Sequence, residues 1–259
     1  MPNPSLPPLP HHLNRTILIE APREIVFRFF TDEKRWASWW GAGSTIDARP
    51  GGKLLIRYPE GTEVSGEVIE IAQPERIVFT YGYVSGQMIP PGGSLVAIRL
   101  EVDPRGTRLE LRHDFAEAAV RDQHVQGWRY QLSLFGNIVA NDLHGDAAAA
   151  VDEWFSAWIE TDSATRFQRL AGIVISSVRF RDRFSLIDGI SELNDQISAA
   201  QRFMPGFRME RRGDVRQCQG LVLADWVALT TDNQERGRGT NVFAFGSDKK
   251  IEAVTGFWA

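Results

Sequence analysis

The sequence predicts an α+β chain of two domains, each a curved antiparallel sheet packed on helices. Its 259 residues exceed an ordinary single domain of roughly 100–200 residues. Between Thr45 and Asp114, short runs rich in Val, Ile, Leu, Tyr and Phe alternate with turn residues, and a long helical periodicity follows. After residue 145 the chain starts afresh with helix and then returns to strand-like alternation.

The elements follow in order. Residues 14–20 alternate as a strand. Pro22 then sits where the first turn of a helix tolerates a missing N–H, with Ile25, Val26, Phe29 and Phe30 at helical spacing after it. Pro50-Gly51-Gly52, Pro59-Glu60-Gly61, Gln73-Pro74 and Pro104-Arg105-Gly106 cut the next stretch into an antiparallel meander. Trp128, Leu132, Phe135 and Val139 form one face of a helix from about residue 117 to 141. Such a helix needs an apolar surface to cover, and the preceding sheet supplies it. His144-Gly145-Asp146 reads as a C-cap glycine followed by an N-cap aspartate, and Val151, Trp154, Phe155 and Trp158 open a new helix. After two or three helices, strand-like runs fall at 174–180, 207–215, 221–229, 239–245 and 251–257. The expected organisation is a disordered Pro-rich leader over 1–12, a first domain over 13–144, and a second over 145–259 with its helices ahead of its sheet.

Composition narrows the function. Hydrophobic residues at 43% against 24% charged suit a soluble protein able to bury two cores. Up to residue 145 there are 15 Lys and Arg against 17 Asp and Glu, and beyond it 14 against 16, so neither half has the basic excess that binds nucleic acid. No uncharged apolar window of about 18 residues exists, and the opening MPNPSLPPLPHH lacks a basic start and an apolar stretch, so no membrane association and a cytoplasmic setting are expected. Cys218 is the only cysteine, which rules out an intrachain disulfide, and Gln217 and Gln219 beside it bring no charge to stabilise a thiolate. His11, His12, His113, His124 and His144 show no metal-ligand spacing, and no Gly-rich loop follows a strand and opens a helix, so no metal and no cofactor are expected.

F-F-T-D-E-K-R-W-A-S-W-W at 29–40, A-R-P-G-G at 48–52, G-E-V-I-E-I at 66–71, P-E-R-I-V-F-T at 74–80 and Gly127-Trp128 resemble the SRPBCC superfamily. The likeness is greatest to the branch named after activators of a heat-shock-protein ATPase. It implies a START-like helix-grip fold around a cavity. V-R-F-R-D at 178–182, G-I-S-E-L at 189–193, G-T-N-V-F-A-F at 239–245 and K-K-I-E-A-V-T-G-F at 249–257 resemble the SnoaL-like, nuclear-transport-factor-two-like superfamily. That likeness implies a cone-shaped α+β barrel with an internal cavity and a homodimer through the second domain.

Several side chains stand out as candidates. Val178, Phe180, Asp182 and Phe184 share one side of a strand, with Arg179, Arg181 and Arg183 on the other. The resemblance places Asp182 at the general base of ketosteroid-isomerase-like members, a carboxylate that abstracts a proton next to a carbonyl. It places Trp154 where they have a tyrosine donor and Asn241 where they have a second, acidic donor. Asn241 shares its strand face with Phe243 and Phe245, and its amide can still donate, which gives a weaker polarising site. The competing reading has Asp182 bonded to backbone at a strand end. Asp225, with Leu221, Leu223 and Val227 on its side and Trp226 opposite, lines the same cavity or sits on the surface. His113 alternates with Leu109, Leu111 and Phe115 and faces the long helix, as a pocket or a packed histidine. Trp36, Trp39 and Trp40 cluster after the first helix, where they stack on a flat ligand or staple the helix to the sheet, and Trp128 joins the ligand-facing set. Arg179, Arg181, Arg183, Arg211 and Arg212, diluted by Asp188, Glu210 and Asp214, read as a solvated strand face.

The leading expectation is a protein that binds a small apolar molecule in one or both cavities. The alternative is a cyclase, isomerase or hydratase on a polyketide-like or terpenoid-like substrate with Asp182 as base. A third reading takes the family name literally and makes the chain a chaperone-regulating interaction module.

Overall fold

The computed structural model describes residues 8–259, and the chain divides into two compact units, one ending at Val139 and one spanning Ala140–Ala259. Of the expected leader, residues 1–7 lie outside the described residues. His11 and His12 already belong to the first strand, where they pair with Phe115 and Asp114.

The first unit runs β1 (His11–Ile19), α1 (Arg23–Arg28), α2 (Glu33–Trp40), β2 (Thr45–Ile46), β3 (Lys53–Arg57), β4 (Glu63–Ala72), β5 (Arg76–Tyr83), β6 (Ser94–Asp103), β7 (Gly106–Phe115) and α3 (Ala118–Leu143), whose last turn from Ala140 is counted with the second unit. The strands from β2 to β7 form the meander that the turn residues predict. β1 closes on β7, which gives an antiparallel sheet in the order β1-β7-β6-β5-β4-β3-β2. The Asp32 side chain starts α2 by accepting from Arg35 N at 2.9 Å. The predicted apolar face of α3 is buried at Trp128, Leu132, Phe135 and Val139. Phe135 packs against Phe29, Phe30 and Trp39 with ring centroids 5.8, 5.2 and 4.7 Å away, tying α3 to the two short helices.

The second unit runs α4 (Ala147–Ile159), α5 (Ser163–Ile173), β8 (Val174–Asp182), β9 (Ser185–Asp188), α6 (Ile190–Phe203), β10 (Arg208–Cys218), β11 (Leu221–Leu229), β12 (Glu235–Phe245) and β13 (Ile251–Trp258). Its sheet has the order β10-β11-β12-β13-β8-β9. Three features differ from expectation. β13 pairs with β8 in parallel, so the sheet is mixed. β10 and β9 stand at open edges, so it is not a closed barrel. α6 falls between β9 and β10, so the helices do not all precede the sheet. The cap reading at 144–146 also changes. Gly145 does not take a left-handed backbone, and Asp146 precedes α4 without a side-chain cap bond. The cap forms one helix later, where Asp162 accepts from Thr165 N at 2.8 Å. Arg166 of α5 is fully buried and donates to Asn194 Oδ1 and Glu160 O at 2.7 Å, to Gln201 Oε1 at 3.2 Å and to Ser198 Oγ. These neutral acceptors offset the loss of water and lock α5 to α6.

Candidate functional site

Each unit holds one cavity of interest. In the first, a cleft of about 1110 Å³ lies between α3 and the β3–β5 region of the sheet. The period of two on β5 puts Tyr81 and Tyr83 on one face, and helical spacing on α3 aligns His124, Trp128, Gln131 and Leu134 opposite them. The Tyr58 and Tyr81 hydroxyls lie 3.2 Å apart, and the Tyr83 hydroxyl lies 3.2 Å from His124 Nε2. His124 Nδ1 is 2.8 Å from Val120 O. A carbonyl only accepts, so Nδ1 carries the hydrogen and Nε2 of the neutral ring accepts a hydrogen bond from the Tyr83 hydroxyl. Burial pushes the Tyr58 and Tyr81 phenols above the usual tyrosine range and lowers His124 below the usual histidine range, so all three stay uncharged near neutrality.

His113 sits behind this wall and is fully buried. Its Nδ1 accepts from Trp128 Nε1 at 3.0 Å, and an indole can only donate, so the ring proton is on Nε2. That nitrogen lies 2.8 Å from Ser94 Oγ, which itself donates to Tyr81 O at 2.8 Å. Both ring nitrogens are satisfied, and burial, followed by the repulsion a protonated His124 would exert, holds the pKa well below the usual histidine value. His113 therefore orients Trp128 rather than meeting a ligand.

In the second unit a cavity of about 90 Å³ is walled by Trp154 and Trp158 of α4, Gln196 and Gln201 of α6, and Phe180, Trp226 and Trp258 of the sheet. Asp182 and Asn241 both reach it. Asp182 Oδ1 accepts from Phe184 N at 2.8 Å and Oδ2 from Trp258 Nε1 at 3.2 Å. Asn241 Oδ1 accepts from Trp226 Nε1 at 3.0 Å. Gly256 lies between them, opposite Asn241 across β12–β13, and a Cβ there would stand 3.1 Å from Asn241 Oδ1 and 3.2 Å from Asp182 Cβ. A side chain at position 256 would crowd both groups.

Residues 20–140 match the family described as Activator of Hsp90 ATPase homolog 1-like protein. This is the branch that the motifs of the first half resemble. No curated protein matches the chain. Similar solved structures include a SnoaL-like family protein from Agrobacterium tumefaciens, 21% identical over 46% of this chain and 98% of that one, with a TM-score of 0.42. Another is CalU16 from Micromonospora echinospora, 26% identical over 48% of this chain and 72% of that one, with a TM-score of 0.39. A third is the Aha1 dimer from Colwellia psychrerythraea, 16% identical over 47% of this chain and 90% of that one, with a TM-score of 0.42.

Within the segment that matches the activator family, the structure sorts the candidate tryptophans. Trp36 and Trp39 are core: their indoles donate to Leu55 O at 3.4 Å and Phe29 O at 3.3 Å, and neither lines the cleft. Trp40 and Trp128 do line it, their rings 5.8 Å apart. In the second unit Trp154 lines the small cavity but is fully buried against Phe180 and Phe243. Asp225 is a correction. It lies on the outer face of β11, where it accepts from Thr240 Oγ1 at 2.5 Å and meets Arg216 at 3.3 Å, while Val222, Ala224 and Trp226 point inward. Both faces of β11 carry apolar residues, and the indole claims the interior over Leu221 and Leu223. Cys218 is exposed at the end of β10. Tyr58, Tyr81, Tyr83 and His124 were not anticipated, although Tyr81 and Tyr83 alternate on a strand and His124 precedes Trp128 by one helical turn. Among the described residues no cluster of His, Cys, Asp and Glu is placed to hold a metal ion.

Proposed function

We propose that the protein binds a small, largely apolar molecule in the cleft of the first unit. The carrying observation is volume. At about 1110 Å³ this cleft is of ligand size, against roughly 300–1,000 Å³ for small-molecule pockets in general. The second cavity, at about 90 Å³, has room for only a few waters at about 30 Å³ each. The family match over 20–140 supports placing the ligand in the first unit. Gly127 on α3 gives the test, because it lines the cleft and an added Cβ meets nothing within 4 Å. Gly127→Phe adds a ring at a cleft-lining position whose Cβ has open space around it. Nile red titrated by fluorescence should bind the parent protein and lose at least about tenfold in affinity in the variant, a loss of about 1.4 kcal/mol, with no loss of thermal stability. Equal binding to both proteins removes the cleft as the site.

The enzymatic alternative keeps one specific support: Asp182 and Asn241 share a cavity floor across Gly256. Against it, the carboxylate oxygens and the amide oxygen already accept protein hydrogen bonds. Turnover of a cyclisable or isomerisable ketone that disappears in Asp182→Asn would establish it. A homodimer through the second unit and a cytoplasmic setting complete the proposal. No helix among the described residues is long and apolar enough to cross a membrane. The chaperone-regulating reading rests on the family description alone.

A further inference from the structure

The cleft of the first unit has a one-sided electrostatic character. Rings of Trp40, Tyr58, Tyr81, Tyr83, Trp128 and Tyr130 line it. Its charged lining consists of Glu60 and Glu63, with no Lys or Arg. Glu63 is neutralised by Arg57, whose Nε lies 2.8 Å away. Glu60 has no ion-pair partner among the described residues, and its charge is felt at the Tyr58 hydroxyl. His124 stays neutral and so adds no positive charge near neutral pH, and the buried phenols stay protonated and add no negative one.

An anion entering such a cleft gives up water and finds no cation to pair with, which is costly. A cation gains twice, from the negative faces of the rings and from an unpaired carboxylate at the rim. Neutral apolar molecules fall between. We infer that the ligand of this cleft is an apolar molecule carrying a positive charge, an alkyl- or arylammonium whose charged end sits by Tyr58 and Glu60. This rests on the cleft being the binding site.

Three probes sharing one ring system separate the possibilities: (2-naphthylmethyl)trimethylammonium, 2-naphthylmethanol and 2-naphthylacetate. Titrated by tryptophan fluorescence at pH 7.5 and low salt, they should bind in that order, the ammonium about tenfold tighter than the acetate, or about 1.4 kcal/mol. Glu60→Gln should weaken the ammonium about three- to fivefold and draw its affinity toward that of the alcohol. Acetate binding as tight as ammonium binding, or an ammonium affinity unmoved by Glu60→Gln, overturns the charge inference while leaving the cleft in place. Failure of all three probes to bind, or binding that survives Gly127→Phe, removes the cleft reading and this inference with it.

Discussion

Both units wall a cavity with tryptophan and other rings, yet one cavity measures about 1110 Å³ and the other about 90 Å³. The difference lies in what the rings pack against. In the first unit, Trp36 and Trp39 sink into the core, while Trp40 and the tyrosines face α3, which offers Trp128 and, beside it, a position with no side chain, Gly127. In the second, Trp154 meets Phe180 and Phe243 at 5.6 and 5.8 Å and Trp226 meets Trp258 at 4.8 Å, so the rings fill the space they enclose. The polar groups do not divide the same way. Both nitrogens of His124 in the first cleft are bonded, to Tyr83 and Val120, and in the second cavity the indoles of Trp226 and Trp258 occupy oxygens of Asn241 and Asp182 while those of Trp154 and Trp158 have no partner. An aromatic-rich interior alone therefore does not mark a binding site; the space left open between the rings does.

The largest expected effect tests whether the second cavity is core. Trp154 is fully buried, so Trp154→Ala should cost about 3–5 kcal/mol of stability in urea unfolding, the range for deleting a large buried aromatic. The void should also take up free indole and recover part of the loss. A cost below about 1 kcal/mol would mean that the ring faces removable solvent, as at a ligand site.

A smaller effect separates the units by pH. The folded pKa of His113 lies below the unfolded value of 6.5, chiefly because burial disfavours the imidazolium. The unfolded chain therefore binds the proton first as pH falls. Stability is fully present above about 6.5 and declines below it, by up to about 1.4 kcal/mol per pH unit for one such group. His124 and His144 shift in the same direction through burial, so the assignment comes from a variant. Urea midpoints between pH 7.5 and 5.5 should fall in the parent and fall less steeply in His113→Gln. An equal slope in both would show that the buried imidazole does not titrate as its hydrogen bonds require.

Much of this contrast can be read in the sequence. The meander, the α3 face at Trp128, Leu132, Phe135 and Val139, and the strand start of the first unit follow from periodicity, because each buries one face against one neighbour. Asp182 and Asn241, singled out by the motifs, line one cavity. Pairing between distant strands is not local information, so neither the closure of β1 on β7 nor the parallel β13–β8 pair could be seen. Asp225 was ambiguous for a related reason. Alternation gives two faces but not which is inside, and β11 is apolar on both. The polar wall of the cleft went unnoticed because tyrosines in a strand score as ordinary β residues, and only the fold sets Tyr83 beside His124.

The smallest effect sharpens the comparison most, since it separates space from stability at one residue. Gly127 lies inside α3, where glycine costs roughly 0.5–1 kcal/mol relative to alanine in backbone entropy. Its added Cβ touches nothing, so Gly127→Ala should raise stability by about that amount while leaving Nile red binding intact. Gly127→Phe at the same position should lose the binding. A methyl too small to matter and a ring large enough to block would then bracket the space the ligand uses. If alanine already weakens binding, the ligand approaches the α3 backbone itself and the glycine is there for contact; if alanine leaves stability unchanged, the helix at 127 gains nothing from propensity and its packing sets its energy.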